Sequence, residues 1–176
     1  MPEIASPPAS TLTPAKTARQ RTDTFTSIWM IITVAMALVT LVVKNRMPQP
    51  LWTMIHLVTL GVLSNGIFQW SWFFARSLAR LSADDPRARR HNTIRVLIFN
   101  AFFALLFVSM WLGWMVGTVI AATGIAAVAA WHGAEMLSVL RERLASRFVV
   151  VVRYYVCSAS FFVLAALLAS FVTVTM

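Results

Sequence analysis

The chain has 176 residues, of which 59% are hydrophobic and 12% charged, and its mean hydropathy is +0.75. A soluble domain is about a quarter charged, so half that share excludes an ordinary water-soluble fold. The formal charge of +9 comes from residues clustered at the ends of apolar runs, which makes them topogenic and excludes a nucleic-acid-binding role. The single cysteine, Cys157, stands in an apolar run and excludes a disulfide framework. This is the composition of an all-α integral membrane protein.

Residues 1–24 mix Pro2, Pro7, Pro8 and Pro14 with Ser, Thr and Ala. They bury too little apolar surface to offset the entropy of ordering, so a disordered cytoplasmic tail is expected there, with a transmembrane domain over 25–176. A bilayer core ~30 Å thick takes about 20 apolar residues of helix. Five segments meet that test, at about 25–43, 51–74, 93–111, 114–137 and 148–173, and they are apolar all round, unlike soluble amphipathic helices. The first reads as an uncleaved span, because no small-residue cleavage site precedes Lys44-Asn45-Arg46. Met47-Pro48-Gln49-Pro50 and Asp84-Asp85-Pro86 supply turns, and Gly113 the tight link between the third and fourth spans. Asn92 or Thr93 can cap the third helix.

Basic residues then orient the bundle. Lys16, Arg19, Arg21, Arg76, Arg80, Arg87, Arg89, Arg90, Arg95, Arg141, Arg143, Arg147 and Arg153 fall on one side, against Lys44 and Arg46 on the other. The positive-inside rule makes the N-terminus cytoplasmic and the C-terminus extracytoplasmic. The same residues attract anionic lipid of the bilayer. Trp52, Trp111 and Trp114 mark the outer interface, and Trp70, Trp72 and Trp131 the inner one.

Intramembrane polar residues are costly and mark candidate sites. His56 lies in the second predicted span and His132 in the fourth; His91, in the arginine-rich connection, reads as solvated. Neutral imidazole suits haem iron and copper. The two membrane histidines cannot share a metal: at 1.5 Å per residue His56 lies ~8 Å and His132 ~27 Å below the outer boundary. A haem at His56 would need its other ligand from a second chain. The competing readings of His56 are a packed histidine bonding across helices and a group handling protons or quinol. At 100° per residue His56, Thr59, Leu63, Ile67 and Trp70 share one face, and Gly61, Asn65 and Trp72 the opposite one. Both faces are expected to be covered by protein, with Gly61 and Asn65 as packing positions.

Glu135, three residues after His132, is expected to form a structural ion pair with Arg153, the metal reading of the His/Glu pair being the rival. Small residues from Gly117 to Gly133 permit close packing or self-association of the fourth helix. Met54, Met110 and Met115 lie toward the outer face and are Cu(I) candidates, although methionine also serves as filler. No Ser/His/Asp set, phosphate-binding glycine loop or intramembrane carboxylate pair is present, so no catalytic residue is assigned and a stand-alone enzyme is not expected.

Two stretches carry a resemblance. His56-Leu57-Val58-Thr59-Leu60-Gly61-Val62-Leu63-Ser64-Asn65-Gly66-Ile67, continuing to Trp70-Ser71-Trp72-Phe73, resembles the second span of the membrane domain in bacterial, chiefly actinobacterial, membrane-anchored multicopper oxidases and two-domain copper nitrite reductases. Ser146-Arg147-Phe148 with Val152-Arg153-Tyr154-Tyr155-Val156 resembles the entry to a later span of that domain. The resemblance implies a multi-pass protein of the bacterial plasma (inner) membrane, linked to an extracytoplasmic copper domain. The sequence ends after the fifth span without such a domain, so the copper chemistry is expected on a separate protein. The leading expectation is a membrane anchor or electron-transfer partner of an extracytoplasmic copper oxidase or nitrite reductase, with haem b at His56 or, less favoured, copper. The alternatives are a cofactor-free structural or assembly subunit, alone or as a homo-oligomer, and a small transporter.

Overall fold

Proline at a first helical turn costs no hydrogen bond, and α1 (Pro14–Val43) begins on one. The computed structural model describes residues 14–47, 49–80, 90–143 and 149–175. Residues 1–13, Pro48, the Asp84-Asp85-Pro86 turn, Arg87, Arg89 and the Ser146-Arg147-Phe148 stretch lie outside them. Residues 14–24, which the sequence reading places in the tail, are helical. The run Ala15-Lys16-Thr17-Ala18-Arg19-Gln20-Arg21 holds enough good helix formers to extend the apolar helix outward. The segment apolar enough to cross a membrane starts at Thr24.

The second span is built from α2 (Pro50–His56), a π-helical segment (Leu57–Ser64) and α3 (Asn65–Leu78). After it come α4 (Asn92–Trp111), α5 (Met115–Arg143) and α6 (Val149–Thr175). Among the described residues, five helices are long and apolar enough to span a membrane: Thr24–Arg46, Pro50–Leu78, Asn92–Trp111, Met115–Val139 and Val149–Thr173. Gly113 takes φ +64° between α4 and α5, a left-handed conformation that glycine adopts without strain.

The π turn is held by side chains. Widening the helix leaves carbonyls poorly paired, and here Ser64 Oγ donates to Thr59 O at 2.9 Å. Asn65 Nδ2 donates to Leu60 O at 3.2 Å and to Gly61 O at 3.0 Å. Such segments are rare and frequently sit at functional sites.

The wider turn also changes which residues share a face. Thr53, Leu57, Gly61, Ser64, Asn65, Phe68, Ser71, Trp72 and Ala75 form one buried stripe. Leu63, Ile67 and Trp70 are exposed, so the expectation that both faces are covered by protein is corrected: the Gly61 face is buried, while the other is half-buried at His56 and exposed from Leu63 to Trp70. Trp72 is also corrected, from an interfacial anchor to a fully buried core residue. At Gly61 a Cβ would approach the Thr33 side chain of α1 to 2.7 Å.

α5 is the centre of the bundle and packs most extensively on α6 and α4. Half of its membrane window is buried, against 11% for α6 and 17% for α1. Its small residues make this possible: Ala121, Ala122, Ala126 and Ala129 are buried, and a Cβ on Gly124 would collide with the Phe102 ring. Two apolar cores result. One gathers Phe68, Phe99, Leu106, Ile125 and Val128; the other gathers Trp72, Ala75, Met136, Val139 and Val152.

Candidate functional site

Between the second span, α4, α5 and α6 lies a half-enclosed cavity of about 240 Å³. His56 lines it together with Trp52, Thr59, Met110, Thr118 and Thr173, and alanines of α6 and Phe162 close its apolar side. The His56 ring stacks on Trp52, with centroids 4.1 Å apart and planes 22° from parallel. His56 Nδ1 is 2.8 Å from Trp52 O. A carbonyl only accepts, so Nδ1 carries the hydrogen and the neutral ring presents its lone pair at Nε2.

The threonines are arranged in the same sense. Thr59 Oγ1 donates to Ile55 O at 2.7 Å, Thr118 Oγ1 to Trp114 O at 3.1 Å, and Thr173 Oγ1 to Ala169 O at 2.9 Å. Each hydroxyl has spent its only proton on its own helix and keeps acceptor capacity. The indole N–H of Trp52 is the one remaining side-chain donor among the lining residues.

Of the methionines considered for Cu(I), Met110 lines this cavity with His56. Met54 is half-buried and Met115 exposed, and neither lines it. Among the described residues no group of three or more His, Cys, Asp or Glu side chains is placed to hold a metal ion. Haem b fits the residues poorly. Drug-sized ligands occupy pockets of about 300–1,000 Å³, so a larger macrocycle exceeds this cavity, and His132 lines a different, smaller one.

A second polar constellation joins α3, α4 and α5 near the arginine-rich ends. Ser71 Oγ and His132 Nε2 share a buried hydrogen bond of 2.8 Å. The Glu135–Arg153 ion pair expected from the sequence is replaced. Glu135 Oε1 accepts from His91 Nδ1 at 2.7 Å and from Trp131 Nε1 at 3.1 Å, while Arg153 is exposed. The reason is geometric: α4 carries His91 onto the Glu135 face of α5, and Trp131 lies one turn before Glu135 on the same face. His91 is thus a bonded residue and not simply a solvated one.

Arg95, counted above only for topology, is fully buried. Its guanidinium lies 4.9 Å from the Trp72 ring centroid, Nη2 donates to Asn92 Oδ1 at 3.0 Å, and Glu135 attracts it through space. Its Nε and Nη1, with Glu135 Oε2 and His132 Nδ1, are buried without a hydrogen-bond partner among the described residues.

Between the two regions Asn65 and Asn100 exchange amide hydrogen bonds of 2.9 and 2.8 Å. Asn100 also donates to Val96 O at 2.9 Å. Every polar hydrogen on these two side chains has a use in a place where lipid offers none.

No protein-family model matches the chain, and no curated protein or solved structure is detectably similar to it. The functional reading therefore rests on these residues. Arg95, Thr118 and Thr173 carried no signal that singled them out in the sequence, and Ser71 stood there only as part of the stretch 70–73, because their significance lies in which helix they meet.

Proposed function

We propose that this chain is a membrane subunit that anchors an extracytoplasmic copper oxidase or nitrite reductase, or exchanges electrons with it, in a bacterial plasma membrane. In this reading the N-terminus is cytoplasmic, and α2 and the C-terminal end of α6 face the partner. One observation carries the proposal. The stretch 56–73, on which the resemblance rests, contains polar and small residues that assemble the bundle and a histidine that does not. Gly61 meets Thr33, Asn65 meets Asn100, and Ser71 meets His132. Among the described residues His56 bonds only within its own helix and is left at the cavity, on the side assigned to the partner.

The test is purification in mild detergent from the native membrane, followed by protein identification and copper analysis of what stays bound. The expected result is a stoichiometric copper protein whose domain lies outside the membrane. Co-purification of a metal-free membrane complex would replace this reading with the structural-subunit one. Reporters fused at each end check the orientation: a periplasm-active reporter is expected to work only at the C-terminus.

A further inference from the structure

We infer that the His56 cavity is a binding site for the headgroup of a membrane-soluble hydroquinone, and that it prefers the hydroquinone to the oxidised quinone. Three features of the cavity select this class. The first is size. A dry cavity of about 150 Å³ is enough to hold benzene, so about 240 Å³ takes one substituted ring and not a macrocycle. The second is shape. The stacked Trp52–His56 pair offers a planar aromatic wall, against which a flat ring packs in an offset or edge arrangement.

The third is hydrogen-bond polarity, and it makes the choice between redox forms. His56 Nε2 and the hydroxyls of Thr59, Thr118 and Thr173 all offer lone pairs, because their hydrogens are bonded to helix carbonyls. Against four acceptor groups stands one donor, the Trp52 indole. A quinone carries acceptors only and would leave these groups facing like partners. A hydroquinone brings two hydroxyl hydrogens, so it can donate to the imidazole and to one threonine and can still receive the indole N–H. Thr59 is exposed at the open side, where an alkyl tail can leave for the bilayer. The inference goes beyond the copper-partner reading and does not depend on it: a chain without such a partner would still bind the ring.

The experiment uses the full chain in detergent, titrated calorimetrically with a decyl-chain hydroquinone under anaerobic conditions and, separately, with the matching quinone. The hydroquinone is expected to bind stoichiometrically and about tenfold or more tightly than the quinone, the worth of one or two unmatched hydrogen bonds. His56→Leu should remove that preference, and Ala166→Phe, which fills the cavity from α6, should abolish binding of both forms. If His56→Leu does not fold, Thr118→Val provides the same test by weakening the hydroquinone alone. Equal or tighter binding of the quinone would overturn the inference. So would binding that survives Ala166→Phe, or no binding of either form. Stoichiometric capture of Cu(I) alone through His56 and Met110, measured against a chromophoric chelator, would overturn it as well.

Discussion

The molecule uses its two membrane histidines in opposite ways. His132 is fully buried, bonded across helices to Ser71 and packed against the Phe68 ring, so its neighbours are other parts of the bundle. His56 is half-buried, bonded among the described residues only to the carbonyl one turn back, and lines a cavity. A polar side chain that closes a contact between helices holds the fold together, whereas one satisfied within its own helix leaves a functional atom to spare. Changes near the arginine-rich end should therefore damage stability, and changes around His56 should damage binding.

The largest expected effect is at Arg95. Arg95→Met removes the cation over the Trp72 ring, its bond to Asn92 and its through-space attraction for Glu135, which keeps its bonds from His91 and Trp131; the loss should be about 3–5 kcal/mol. Chemical unfolding in detergent micelles should show it, and a loss below about 1 kcal/mol would mean that the cluster behaves like a surface pair. Asn100→Leu comes next. It leaves Asn65 Oδ1 without its donor in the core and should cost about 1–3 kcal/mol. Replacing both asparagines with leucine should cost less than the two single changes added together, which a double-mutant cycle would measure. Gly61→Ala drives a methyl into Thr33 and is expected to cost about 1–3 kcal/mol, read as a lower unfolding midpoint. His56→Leu should be the mildest, within about 1 kcal/mol of the parent, while removing the ligand preference.

Much of the fold is legible without coordinates, for a physical reason. Lipid provides no partner for the backbone, so each crossing must be a long apolar helix, and the five spans expected from hydropathy overlap the five observed. What hydropathy does not encode is phase. The π segment changes the number of residues per turn between Leu57 and Ser64, and a wheel drawn at 100° per residue then puts Leu63, Ile67 and Trp70 on a covered face that is exposed. The residues causing the wider turn, Ser64 and Asn65, are ordinary polar residues in sequence. Glu135 shows a second limit. Its depth near the inner interface suggested Arg153, one turn into the fifth span, but the packing of α4 on α5 delivers His91. Arg95 shows a third, since counting arginines by side cannot tell a residue at the headgroups from one enclosed under Trp72. His56 stood out in the sequence as a residue, while its threonine neighbours on α5 and α6 became visible only once the helices were packed.

One measurement addresses the contrast directly: thermal unfolding of the parent, His56→Leu and His132→Leu proteins, each with and without saturating decyl-chain hydroquinone. The account predicts that His132→Leu lowers the midpoint, because Ser71 loses its partner, yet keeps the upward shift produced by the ligand. His56→Leu should retain the parent midpoint and show a smaller upward shift, no larger than the matching quinone produces. The reverse pattern, with His56→Leu strongly destabilised and as responsive to the hydroquinone as the parent, would contradict the account.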